Sequence, residues 1–125
     1  MEKEKTCKIV FSDIDGTLLT SDGQITEGTK KMILNLENKG IPFILTSARS
    51  PEGVRVIKRM LGNHAPIIAF CGGLILDDDG NEIYSKMIPL KRALELKAML
   101  DKDFPAVACN TFGGEKWIVD DRDDW

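Results

Sequence analysis

Two aspartates two residues apart, Asp13 and Asp15, stand immediately after a short apolar run and before a glycine, in the order Asp13-Ile14-Asp15-Gly16-Thr17-Leu18-Leu19. A carboxylate can act as a nucleophile, splitting one hard displacement into two easier steps. A second carboxyl close by can move the protons of those steps. Gly16 permits a tight turn in which the backbone approaches an anion closely. A second polar group, Ser47, ends another apolar run and is followed by Ala48-Arg49. A hydroxyl can hold an anionic oxygen without adding charge, and an arginine can pair with a phosphate or with an acidic neighbour.

Such residues act together only if the fold brings them to one place. Lys8-Ile9-Val10-Phe11 reads as a buried parallel strand feeding a loop. Thr26 is a plausible cap for a helix whose apolar positions are Met32, Ile33 and Leu36, with Gly40 as its stop. Ile41 to Leu45 reads as a second strand. Ser50-Pro51-Glu52 opens a second helix with Val54, Ile57 and Leu61 inward, and Pro66 to Phe70 forms a third strand. This alternation predicts an α/β fold, a parallel sheet with helices on both faces joined by right-handed crossovers. Ligands bind such sheets at the C-terminal ends of the strands, where Asp13 and Ser47 fall.

The pattern changes after Cys71-Gly72-Gly73. Leu74-Ile75-Leu76 and Glu82-Ile83-Tyr84-Ser85 flank Asp78-Asp79-Gly80-Asn81 as a β-hairpin. A helix from about Leu90 to Leu100 and strand-like runs at Val107 to Thr111 and Lys116 to Val119 follow. The domain boundary is placed at 86/87.

Bulk properties narrow the class. The 125 residues suffice for a real core, and 42% hydrophobic with 30% charged residues is a globular composition. A net charge of -3 disfavours nucleic acid or an anionic membrane as partner. No apolar run has the length of a membrane span and the N-terminus lacks a signal-peptide core, so the expectation is a cytoplasmic protein. Cys7, Cys71 and Cys109 show no metal or disulfide spacing. Asp77, Asp79 and Asn81 look like the start of a calcium loop, but Gly80 is misplaced and no bidentate glutamate follows. His64 reads as a solvated helix-end residue.

The segment from Asp13 to Thr17 resembles the first motif of the haloacid dehalogenase superfamily, and Ser47-Ala48-Arg49 resembles the Thr-Gly-Arg of its Cof-like subgroup, subfamily IIB. The resemblance implies a Rossmann-like core, here its N-terminal portion (1–86), and the start of an α/β cap (87–125). It implies a phosphatase acting on small phosphorylated metabolites, sugar phosphates foremost, through an aspartyl-phosphate. Asp13 would be the nucleophile and Asp15 the acid and base, its pKa raised relative to that of the metal-bound Asp13. Mg²⁺ would be held by the Asp13 side chain and the Asp15 backbone carbonyl. Ser47, Gly16, Thr17 and Arg49 would bind phosphate.

Cys71-Gly72-Gly73 departs from the subgroup's Asn-Gly-Ala, which weakens a substrate role at Cys71. The family's later lysine and acidic pair have no match in this chain. The sequence therefore reads as part of a longer protein, with the first strand's outer edge bare and open to self-association, and with little turnover expected of the chain alone. A non-catalytic truncated or pseudoenzyme module and a phosphomutase are the alternative readings.

Overall fold

In a computed structural model, residues 7–119 are described, and the chain divides into two compact units that part between Ser85 and Lys86. The first carries a five-stranded sheet in the order β1-β2-β3-β4-β5. Its strands are β1 (Val10–Asp13), β2 (Phe43–Thr46), β3 (Ile67–Ala69), β4 (Leu74–Leu76) and β5 (Glu82–Ser85). The pairs β1–β2 and β2–β3 are parallel, whereas β3–β4 and β4–β5 are antiparallel. Asp13, the last residue of β1, is in register with Thr46, the last of β2, so Ser47 follows directly beside it.

Two helices make the crossovers, α1 (Glu27–Asn38) and α2 (Pro51–Leu61). Thr26 caps α1, its side chain accepting from the Thr29 amide, and Ser50 caps α2 by accepting from Gly53. Both caps satisfy a backbone donor that the first helical turn leaves free. Gly62, in the left-handed region at φ 68°, ends α2. The two helices contact each other and both contact β2. These two helices therefore share one face of the sheet.

Beneath them lies the core. Ile33, Val54, Ile57 and Leu61 from the helices meet Phe43, Leu45, Ile67, Ala69, Leu74 and Leu76 from the strands. Met32, expected inside, is 61% exposed; the inward stripe of α1 runs through Ile33 and Leu36 instead. Asn63 is a buried polar residue with its needs met: its amide donates to the Phe43 carbonyl and its oxygen accepts from the Ala65 amide. This ties the end of α2 to β2.

The β4–β5 turn closes through Asp77, which accepts from Asn81 by backbone and side chain. It is a hairpin, as the sequence indicates. Asp78 on this turn pairs with Lys58 of α2 and with His64.

The second unit holds α3 (Leu90–Asp103) and a hairpin of β6 (Thr111–Gly113) with β7 (Lys116–Ile118), across which Phe112 and Trp117 stack. The expected strand at Val107 is instead irregular until Thr111. Asp120 to Trp125, an acidic tail in the sequence, lies outside the described residues.

Candidate functional site

The Asp13 loop is built around one apolar anchor. Ile14 is fully buried, and its carbonyl accepts from the amides of Thr17, Leu18 and Leu19. That anchor turns the residues on either side outward, so Asp13 and Asp15 are both exposed at the C-terminal end of the parallel strands. Gly16 completes the turn at φ +75°, a conformation costly for residues with a Cβ. The Thr17 hydroxyl donates to Asp13 Oδ2 at 3.5 Å, the outer limit of such a bond.

Ser47 stands on the neighbouring strand end and is buried to 5% exposure. Its amide donates to the Ile68 carbonyl, its carbonyl accepts from the Cys71 amide, and its Oγ accepts from the Arg49 amide at 3.1 Å. With a lone pair of Oγ already engaged, the hydroxyl hydrogen remains to be given to an incoming oxygen.

Arg49 reaches back to the first loop. Its Nε donates to Asp15 Oδ2 at 2.8 Å and its Nη2 to Asp15 Oδ1 at 2.6 Å, a two-pronged pair. Of the two partners that the sequence left open for Arg49, this structure holds the acidic one. The guanidinium's hydrogen bond, outweighing desolvation, keeps the Asp15 carboxyl below the usual aspartate range, and Asp15 in turn raises Arg49. That direction is opposite to the raised pKa expected of a proton donor. The physical reason is the fork: two N–H donors stabilise the ionised carboxylate.

Asp13, Asp15, Gly16, Thr17, Ser47 and Arg49 thus come from two adjacent strand ends. Sequence inspection missed the turn beneath them. Phe70 and Cys71 adopt φ of 50° and 54°, left-handed values unusual for residues with side chains. There the Phe70 amide donates to the Arg49 carbonyl and the Cys71 amide to that of Ser47. The pair Gly72-Gly73 signalled a tight exit from the strand, but not that the bend begins at Phe70.

For a divalent cation, the Asp13 carboxylate and the Asp15 backbone carbonyl are hard oxygen donors of the kind Mg²⁺ takes while keeping several waters. The Asp15 side chain is already committed to Arg49. Among the described residues no three acidic, histidine or cysteine side chains gather as a metal cluster. The donor set fits Mg²⁺ as a partial shell. Two concavities, of about 380 and 410 Å³, lie elsewhere: one is lined by Arg55, Lys58, Arg59 and Asp78, the other by Glu37, Pro42 and Pro66. Both lie toward the opposite end of the parallel strands. No described helix is long and apolar enough to cross a membrane.

Residues 10–125 match the family described as haloacid dehalogenase-like hydrolase. The chain is 36% identical over 124 residues to a protein of Haemophilus influenzae named "Putative phosphatase", covering 92% of this chain and 47% of that protein. It is 27% identical over 96 residues to Phosphatase YwpJ of Bacillus subtilis, covering 77% of this chain and 34% of that protein. Among solved structures, a haloacid dehalogenase-like hydrolase from Bacteroides thetaiotaomicron superposes with a TM-score of 0.81 at 20% identity, over 91% of this chain and 44% of that one. The subclass IIB sugar phosphatase BT4131 gives a TM-score of 0.70 at 22% identity, over 90% and 43%. The chain spans less than half the length of each of these proteins.

Proposed function

The chain belongs to the haloacid dehalogenase-like hydrolase family, and from that premise we propose that it is the nucleophile-bearing portion of a phosphatase for small phosphate monoesters, sugar phosphates foremost. The observation that carries this reading is the outward pairing of Asp13 and Asp15 about buried Ile14, one strand away from the Ser47 hydroxyl.

In the proposed reaction, Asp13 Oδ attacks phosphorus while the bond from phosphorus to the ester oxygen breaks. Asp15, once released from Arg49 and protonated from solvent, gives that oxygen its proton, and an aspartyl-phosphate on Asp13 results. Water then attacks the phosphorus, Asp15 takes the water's proton, and the Asp13 carboxylate and inorganic phosphate are restored. Ser47 Oγ–H, the exposed Thr17 and the loop at Gly16 bind phosphoryl oxygens. Mg²⁺, held by the Asp13 side chain and the Asp15 carbonyl, would offset the repulsion between a carboxylate and a dianionic ester.

The sugar-phosphate preference rests on the subclass of BT4131 and on the start of an α/β cap in residues 87–125, a unit that in the intact protein would select small substrates. An intact protein of this kind acts on soluble metabolites in the cytoplasm. The chain alone is expected to turn over little, since its described residues supply only part of a metal shell. The phosphomutase reading uses the same residues and differs only in the acceptor of the second step.

Beryllium fluoride with Mg²⁺ tests the nucleophile: a fluoride complex on Asp13 is expected, absent in Asp13→Asn. Capture at a different residue would falsify the assignment. Hydrolysis of an aryl phosphate, compared between the chain and Asp13→Asn, measures the remaining activity.

A further inference from the structure

Arg49 and Asp15 meet across 34 positions of sequence, and each end of their pair hangs on part of the phosphoryl site. Asp15 is two residues beyond Asp13, and Arg49 is two beyond Ser47, whose Oγ holds the Arg49 amide. The Arg49 carbonyl is fixed as well, accepting from the Phe70 amide at 3.0 Å. Its backbone is therefore pinned at two points, and any change of partner falls to the side chain. Two of the guanidinium's five N–H donors are spent on Asp15, which leaves three.

The pair is also open to water, the side chains being 35% and 57% exposed for Arg49 and Asp15. Ion pairs so exposed hold weakly. A phosphoryl group offers an arginine fork more oxygens and more charge than a carboxylate does. It would arrive beside Asp13 and Ser47, within the same pair of loops.

Resting on the phosphatase reading, we propose that Arg49 is a two-position guanidinium that clasps Asp15 until substrate binds and then transfers to the phosphoryl oxygens of the bound monoester. Binding then unclasps Asp15 at the moment a reacting oxygen lies before it. A ligand with too little charge to draw the guanidinium away leaves Asp15 held. Arg49 thereby acts as a positioning and specificity residue that favours dianionic phosphoryl over monoanionic sulfuryl groups of similar shape.

The test uses the whole chain, labelled with ¹⁵N and ¹³C, in Mg²⁺, with methyl phosphate and methyl sulfate as probes. The coupling across the hydrogen bond between Arg49 Nε and Asp15 Cγ reports the clasp. Methyl phosphate is expected to abolish it and to bring a coupling from Arg49 nitrogen to phosphorus, whereas methyl sulfate leaves the clasp intact. Arg49→Lys, which keeps charge but loses the fork, is expected to bind methyl phosphate roughly tenfold more weakly. A clasp that persists while the Ser47 amide shifts with methyl phosphate, or equal binding by Arg49→Lys, overturns the transfer and leaves the phosphatase reading standing. No response at Ser47 or Arg49 to saturating methyl phosphate overturns both.

Discussion

The unit that ends at Ser85 and the unit that begins at Lys86 are both folded into helix and strand, yet they differ in what they bury. Every described residue in the buried class belongs to the first. In the second, Leu90, Leu94, Phe104 and Trp117 are each more than half exposed, and no described residue is buried. Secondary structure is therefore no guide to where stability resides. A helix such as α3, without a buried stripe, has little beyond its own propensity and its exposed pairs Arg92–Glu95 and Lys97–Asp101. The candidate site belongs to the unit with the core, where Ile14, Leu45 and Val54 fix the strand ends that present it.

The sharpest way to break this comparison is a matched truncation in each unit. Leu45→Ala removes a side chain only 1% exposed and is expected to cost about 2–5 kcal/mol in denaturant unfolding. Leu94→Ala, at 61% exposed, should fall within about 0.5 kcal/mol of the parent. Equal costs would mean that the second unit has a core of its own. Next in size, Asn63→Ala strands the buried Phe43 carbonyl and Ala65 amide, for an expected loss of about 1–3 kcal/mol by the same measurement.

A smaller effect of opposite sign is expected at Cys71, whose φ of 54° suits glycine or asparagine better than cysteine. Cys71→Gly should stabilise the chain by roughly 0.5–1 kcal/mol, offset in part by the added freedom of the unfolded chain. Destabilisation would show that the left-handed turn is held by side-chain contacts of Cys71.

The smallest effect concerns acid. Lys58, and then His64, hold Asp78 below the ordinary aspartate value. A depressed folded pKa contributes stability that is present above the unfolded value, about 3.9, and is lost as pH falls through the folded one. Asp78→Asn should therefore flatten the acid limb of a stability–pH profile below about pH 4 and leave the second unit's signals unchanged.

Local chemistry made much of the first unit legible. Thr26, Ser50 and Gly62 mark helix ends by bonds and backbone angles that depend on near neighbours alone. Asp13, Asp15 and Ser47 could be placed together because strands that alternate with helices deliver their C-terminal ends to one edge. What escaped were matters of long range or of competition. Met32 and Ile33 are adjacent apolar residues, and packing against the sheet, not helical spacing, chose Ile33. The Lys58–Asp78–His64 contacts join residues whose proximity depends on how the hairpin returns over α2. Arg49 offered two chemically sound partners, and no residue type decides between them. Phe70 continued an apolar run and so read as strand, whereas its amide is drawn to the Arg49 carbonyl instead.

β1 stands last in the strand order, and Asp13 is its terminal residue. Any polypeptide segment laid along that margin, which no other described strand covers, would meet the backbone of Asp13 as its template. Because side chains of a strand alternate, an offset of a single residue would present the other half of the newcomer to the candidate site. The alignment of one added strand would thus decide which of its side chains stand beside Asp13.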